Sequence, residues 1–268
     1  MAHQNRLANA HVVVFGGTSG IGFAVANMAL SNGAHVTISG SAQPKVDDKV
    51  EKLRSFYPNL PASNIAGHAC DLSDKENMET NLKTVLDKIT EGGSKKIDHI
   101  AFTAGDINAM PKVEDVTIDT ALQGFTVRFL APAILIKILS SGKHMHLTSS
   151  SSFTLTGGTN THKPLPGWSY GASWGGTLEG FVRGLAVDLT PMRVNLVIPG
   201  AIQTELMQSY IDRVGAEGLE RLKAEVSLTR NFGQPEDIAE AYGYLMRDRF
   251  ATGSFVTCDG GRLLTSSK

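Results

Sequence analysis

The sequence has little cysteine: two residues, Cys70 and Cys258, in a chain of 268. They stand far apart with no CxxC or Cys/His spacing around them, which argues against a disulfide framework or structural zinc site and fits a reducing, cytoplasmic setting. An excess of either charge sign is also missing, since 25 Lys and Arg face 26 Asp and Glu for a formal net charge of −1. Bulk attraction to nucleic acid or to an anionic membrane is thereby not expected. Long apolar runs are absent too. The greasiest stretch, Phe129 to Leu139, is too short for a membrane span and carries Lys137, and the N-terminal MAHQNRLANA has no signal-peptide core. Nothing repeats and no linker-like break divides the chain, so residues 1–268 are expected to form a single domain.

What the chain does have is a globular composition, 41% hydrophobic and 19% charged, enough to bury one large core. Strand-like and helix-like segments alternate along it. A β-branched run from His11 to Phe15 enters a glycine turn and a helix from Ile21 to Ser31, which stops at Asn32-Gly33. Further strands are expected at His35–Ser39, Asn64–Cys70, Ile97–Phe102, Ser151–Thr156, Arg193–Ile198 and Ser254–Cys258. Helices are expected at Lys45–Phe56, 73–90, Thr117–Leu139, Ser169–Leu189, Thr204–Ala224 and Pro235–Met246. Such alternation predicts an α/β fold, a Rossmann-like doubly wound parallel sheet with helices on both faces.

Gly16-Gly17-Thr18-Ser19-Gly20-Ile21-Gly22 fills the turn between the first strand and helix. Glycines there permit a tight turn, let backbone N–H groups approach a pyrophosphate, and bring the helix close to the strand. Turns are glycine-rich in any protein, so the position after the first strand is what gives the cluster its meaning. At the end of the second strand, where a carboxylate would hold the ribose 2′-hydroxyl of NAD, stand Ser39-Gly40-Ser41, with Lys45 four residues on. Hydroxyls and a cation accommodate a 2′-phosphate that an Asp would repel, so NADP(H) is preferred and NAD(H) is not excluded. Lys45 equally suits a solvated helix face. Asp71, just past the third strand, is placed either to accept a hydrogen bond from the adenine amino group or to cap the next helix.

The chain at this point resembles the short-chain dehydrogenase/reductase family over nearly its whole length. The resemblance rests on Gly16-x-x-x-Gly20-x-Gly22, Asp71-Leu72, Ala104-Gly105 after the fourth strand and Tyr170 opening a helix. It continues through Arg193-Val194-Asn195, Pro199-Gly200-Ala201-Ile202-Gln203-Thr204, Gly233-Gln234-Pro235-Glu236-Asp237 and Asp259-Gly260-Gly261. Each piece is ordinary alone, and their order is specific. The resemblance implies an oxidoreductase that binds NAD(P) at the carboxyl ends of the strands. Its contacts would be the glycine turn, Ser39, Ser41, Asp71-Leu72, Ala104-Gly105 and Pro199-Gly200, with Ile202 and Thr204 near the nicotinamide carboxamide. It also implies a homodimer or homotetramer that acts on a small-molecule substrate without a metal.

Departures from the family pattern bear on catalysis. The family's reaction uses a Tyr as acid or base, a Lys four residues later, a Ser about thirteen residues earlier and an Asn in the preceding long helix. In Tyr170-Gly171-Ala172-Ser173-Trp174 a tryptophan holds the lysine position, and Ala121, three before Gly124, holds that of the asparagine. Two registers compete for the serine. Ser149 ends a run of the usual kind but stands 21 residues before Tyr170, whereas counting 13 back reaches Gly157, after a stretch that alternates as a strand should. We favour Gly157, which leaves Tyr170 alone of the four. Phe15 replaces the usual Thr before the turn, and Phe102-Thr103 an Asn pair.

Within the family, the chain is similar to a small group of fungal reductase/Diels–Alderases of the malbrancheamide and paraherquamide type. The likeness lies in Ile97-Asp98-His99-Ile100-Ala101-Phe102-Thr103-Ala104, Arg128, Pro164-Leu165-Pro166-Gly167-Trp168 and Gly261-Arg262-Leu263-Leu264. Leu165 stands where that group has an acidic residue implicated in catalysis, while Asp106, Arg128 and Trp168 stand at matching places.

A tyrosine without a neighbouring cation donates a proton to a developing alkoxide but is a poor base, so redox chemistry with Tyr170 as acid runs toward reduction. An iminium or activated C=C needs less proton help at the carbon that receives hydride. Arg128 either orients an anionic or carbonyl-bearing substrate or pairs with Asp106, and with Tyr170 these form the candidate catalytic set. Trp168 and Trp174 either stack on a flat substrate or fill core, the latter favoured for Trp174. His144, His146 and His162 are expected as exposed loop residues rather than metal ligands. The leading expectation is an NADP(H)-dependent reductase of a bulky specialised metabolite. Alternatives are a redox-neutral cyclase that holds a reactive substrate folded, and a catalytically silent cofactor-binding subunit.

Overall fold

The computed structural model describes residues 2–105 and 111–266. Its strands are β1 (His11–Phe15), β2 (His35–Gly40), β3 (Ile65–Ala69), β4 (His99–Phe102), β5 (Ser152–Thr156), β6 (Arg193–Pro199) and β7 (Phe255–Cys258). They pair in parallel as one sheet in the order β3-β2-β1-β4-β5-β6-β7. The helices are α1 (Gly20–Ser31), α2 (Gln43–Phe56), α3 (Met78–Ile89), α4 (Ile118–Gln123), α5 (Ala131–Leu139), α6 (Ser169–Asp188), α7 (Glu205–Val226) and α8 (Pro235–Arg247).

β1 reads HVVVF, and Val12 to Phe15 are buried on both faces, as a parallel strand covered by helices on each side requires. On one face α1 and α8 pack over Val12, Val14, Ile38 and Val197; on the other α3, α5 and α6 cover Val13, Phe102, Phe153 and Leu196. Strand order reverses between β1 and β4, so the crevice at their carboxyl ends is where a sheet of this kind takes its ligand.

The expected helix 117–139 is interrupted. A π-helical turn, Thr126–Leu130, joins α4 to α5, because Pro132 has no N–H to give to the Arg128 carbonyl and the hydrogen-bond ladder re-registers ahead of it. By length and composition the run Ile118–Leu139 is apolar enough to cross a membrane, yet half of it is buried inside the fold, as in a core helix.

The entry to β5 puts Ser149 and Gly157 at opposite ends of the sheet. Met145 bridges Ile97 and Ser152 pairs with His99, so one chain advances seven residues while the other advances two, and the surplus loops out. Ser149 lies in that loop at the amino end of the sheet, where its carbonyl accepts from Arg193 Nε at 2.7 Å. Gly157 follows β5 at the carboxyl end, with its N–H bonded to Val197 O at 2.8 Å. Of the two, it is Gly157 that lies at the carboxyl end of β5.

His144 is not an exposed loop residue: it is buried, with Nδ1 2.8 Å from Thr90 Oγ1 just past α3, and burial presses its pKa below the ordinary histidine value. His146 and His162 are exposed as expected, and the described residues hold no metal-binding cluster of His, Cys, Asp or Glu.

Candidate active site

The chain leaves β1 at Gly16 with φ +85°, a left-handed conformation that glycine adopts without strain. A Cβ there would stand 2.6 Å from the Ala104 nitrogen, and one on Gly22 would stand 2.2 Å from the Gly16 carbonyl oxygen. The turn, the start of α1 and the end of β4 thus close on one another only because these positions are bare. Gly16 and Gly17 donate their N–H groups to Ser39 O at 2.9 and 3.0 Å, binding the turn to β2. Ser19 precedes α1 without a side-chain cap, so the leading amides of α1 are left for an anion at the cleft.

Thr103 donates both its N–H and its hydroxyl to Phe15 O, at 2.8 and 2.9 Å. That ties β1 to β4 without help from the residue 15 side chain, which turns into the core and stacks on Phe102 with ring centroids 5.8 Å apart. Phe15 and Phe102-Thr103 are therefore one coordinated departure from the family pattern.

At the end of β2, Ser39 is buried with its hydroxyl lacking a hydrogen-bond partner among the described residues, while Ser41 and Lys45 are exposed. Thr18 packs over Gly40. Asp71 lies exposed past β3 and accepts from the Ser73 N–H and hydroxyl at 2.9 and 2.7 Å. It shapes its own turn and does not cap α3, which begins after Asn77. Leu72 is buried in the core.

After β6, Gly200 donates to Cys258 O at 3.0 Å next to Pro199, and Ile202 is buried as it bridges Gly233. Thr204 precedes α7, and its methyl lies 3.0 Å from where a Gly20 Cβ would be. α7 therefore departs from directly over the glycine turn.

Arg128 comes from the π-helical turn, and its guanidinium lies over Gly105: Cζ and both terminal nitrogens are 2.9 Å from the position of a Cβ there. This brings Arg128 to the carboxyl end of β4. Asp106 lies outside the described residues. Tyr170 is half-buried in the first turn of α6, immediately after Trp168 and Ser169. One turn on, Trp174 is buried against Gly124 and edge-on to Phe125, with centroids 6.5 Å apart. It is core, and the ammonium that the family places there has no substitute at that position.

Two cations unforeseen in the sequence frame the loop between β5 and α6. Arg262 donates to Thr159 Oγ1 and Asn160 Oδ1 at 2.7 Å each and to Lys163 O at 2.8 Å. Lys163 Nζ returns to Arg262 O at 3.0 Å and Thr265 Oγ1 at 2.6 Å. The only signal for this was the Gly261-Arg262-Leu263-Leu264 run. A cavity of about 390 Å³ between α2 and the β3 edge, lined by Asp47, Glu51, Arg54 and His68 among others, holds none of the candidate residues and lies away from the cleft.

The bare glycines, the turn bonded to β2 and the uncapped start of α1 fit the pyrophosphate of a dinucleotide. Comparison with known proteins agrees. A family model described as an SDR-like Rossmann domain matches residues 3–265. The short-chain dehydrogenase/reductase malC of Malbranchea aurantiaca is 39% identical over 261 residues, 97% of each chain. The short-chain dehydrogenase/reductase fsr5 of Gibberella fujikuroi is 39% identical over 266 residues, 98% of each chain. The solved structure of the MalC reductase/Diels-Alderase from Malbranchea aurantiaca superposes with a TM-score of 0.90 at 38% identity, covering 97% of this chain and 100% of that one. A short-chain dehydrogenase from Burkholderia cenocepacia, solved in complex with NADP, shares the fold at 22% identity and a TM-score of 0.79, covering 96% of this chain and 99% of its own.

Proposed function

The chain belongs to the short-chain dehydrogenase/reductase family, and from that premise we propose that it is an NADP(H)-dependent oxidoreductase that reduces a C=N, C=C or C=O group of a bulky specialised metabolite. The observation that carries this reading is a contrast. The nucleotide cradle is intact, with Gly16 and Gly22 closed on the end of β4, while the family's catalytic set is reduced to Tyr170, with Arg128 at the carboxyl end of β4. Bound nicotinamide supplies the hydride. Tyr170 gives a proton to the atom that gains negative charge, help worth about 10²- to 10⁴-fold. Arg128 orients an electron-rich group of the substrate, with Asp106 completing the set. The glycine turn, Ser39, Ser41 and Asp71 take the adenosine diphosphate half, and Ile202 and Thr204 meet the carboxamide. An iminium acceptor suits this site, because a carbon already bearing positive charge needs little acid assistance.

The test is deuteride transfer. The protein is incubated with NADPH deuterated at C4 and a panel of cyclic imines, enones and ketones; deuterium in the product together with nicotinamide oxidation supports the reading. A Tyr170→Phe variant that keeps full turnover removes the tyrosine from its role. A second reading, a redox-neutral cyclase, is favoured by the relative named reductase/Diels-Alderase and by the loss of lysine, serine and asparagine. Product formed without nicotinamide oxidation marks that outcome. A cytoplasmic homodimer or homotetramer, each chain one catalytic domain, accompanies either reading.

A further inference from the structure

Building on the nucleotide-binding reading above, we propose that Thr18 sets the cofactor choice by filling the space over Gly40 in which a carboxylate-bearing side chain would have to begin. Gly40 is the last residue of β2, about twenty residues after Gly20, where NAD-selective sheets of this kind carry an Asp or Glu for the ribose 2′-hydroxyl. A Cβ on Gly40 would lie 2.6 Å from Thr18 Cγ2, 3.0 Å from its Oγ1 and 3.4 Å from its Cβ. Thr18 has little freedom to withdraw. It is 6% exposed, and its turn is bonded to β2 through the Gly16 and Gly17 amides. A Cβ on neighbouring Gly17 would itself be 2.8 Å from Ile38 Cβ, so the turn is pressed against the strand.

Two consequences follow from this packing. The carboxylate that would repel a 2′-phosphate is excluded by shape as well as by sequence, and an uncharged hydroxyl stands in its place. Selectivity therefore cannot be reversed at Gly40 alone. A Gly40→Asp side chain pushes Thr18, and with it the pyrophosphate turn, whereas Thr18→Ala removes Cγ2 and Oγ1 and leaves only the Cβ at 3.4 Å, an ordinary contact.

The experiment titrates the full chain with NADPH and NADH, following nicotinamide fluorescence, and checks each variant by thermal melting and far-UV circular dichroism. Wild type is expected to favour NADPH by at least about tenfold. Gly40→Asp loses NADPH affinity on the order of 100-fold, the scale of a like-charge clash, without gaining NADH. The double variant Thr18→Ala with Gly40→Asp gains NADH affinity about tenfold over wild type and stays weak for NADPH. Gly40→Asp alone matching the double variant on NADH overturns the proposal, as does a folded double variant no better than wild type. Should Gly40→Asp not fold, Gly40→Ala isolates the steric part: it must weaken NADPH, and Thr18→Ala must restore it. Equal NADPH affinity of wild type and Gly40→Ala overturns the gate. Wild type binding neither nucleotide removes the nucleotide reading and this inference together, whereas failure of the variants in an NADPH-binding protein removes the gate alone.

Discussion

The indole of Trp174 lies against the bare backbone of Gly124, so closely that a Cβ on the glycine would stand 2.2 Å from Cε2 and Cζ2. This contact accounts for tryptophan in the lysine position. The side chain serves to seat α6 on the helical run α4 begins, with Phe125 edge-on beside it, and Tyr170 stands one turn earlier with no lysine four residues on.

Gly124→Ala should therefore destabilise the fold although alanine is the better helix former. Both partners are buried, and one methyl forces the indole or the helix to move, at a cost of about 1–3 kcal/mol. Urea unfolding measures it, and an unchanged midpoint would show that the seam has slack.

Arg193 makes a second prediction about the scaffold. It is 2% exposed and donates to four carbonyls, Ser149 O at 2.7 Å, Ala251 O at 3.4 Å, Leu245 O at 2.6 Å and Met246 O at 3.2 Å. The last two belong to the final turn of α8, whose carbonyls need donors from outside the helix. Arg193→Met keeps the length and removes every donor. Stability should fall by about 3 kcal/mol or more, with faster hydrogen exchange at the end of α8, and retention of wild-type stability contradicts the role given to the guanidinium.

Features confined to neighbouring residues are legible in the sequence. Parallel strands write themselves as β-branched runs such as Val12-Val13-Val14, and the phosphate turn as Gly16, Gly20 and Gly22, because each constraint acts on consecutive positions. Contacts across the fold are not written that way. His146–Ser149 and Ser151–Thr156 both look like the end of a strand, and they are told apart only by distant partners: Met145 bridges Ile97 ahead of β4, and Ser152 pairs with His99 at its start. His144 is polar and follows the polar residues Ser140, Ser141 and Lys143, yet Thr90, 54 positions away, makes its burial tolerable. The pairs Trp174 with Gly124 and Thr18 with Gly40 are of the same kind: a glycine does not announce which side chain covers it.

Acid sensitivity follows from His99. Its Nδ1 meets Ser152 Oγ at 2.9 Å, and burial, followed by the nearby Arg193 charge, presses its pKa from 6.5 to about 3. The unfolded chain takes up this proton near pH 6.5, while the folded chain resists until about 3, so the unfolded state holds more protons across that window. The contribution is fully present above pH 6.5 and is lost progressively as the pH falls, by up to about 1.4 kcal/mol per unit. Burial lowers His11, His68 and His144 as well, with the same sign. His99→Asn, which can keep a bond to Ser152, should flatten the decline in unfolding free energy between pH 6.5 and 5. An unaltered slope assigns the sensitivity to other groups.

Lys163 and Arg262 hold each other's segments, each side chain bonding the other's carbonyl, and together they join the loop after β5 to the C-terminal turn. Thr265 extends the link to the end of α7 through Glu225 O at 2.9 Å. The loop leads directly into Trp168 and Tyr170, so its slackening displaces the proposed acid while leaving the glycine turn alone. Arg262→Met should raise hydrogen exchange in 159–168 and 259–265 together, lower turnover and leave the NADPH dissociation constant unchanged. Because either cation alone keeps part of the junction closed, the two methionine substitutions should not add. A double-mutant cycle read by urea unfolding is expected to give a coupling of about 0.5 kcal/mol or more. Strict additivity would mean that the two side chains act on separate segments and that the loop owes its position to something else.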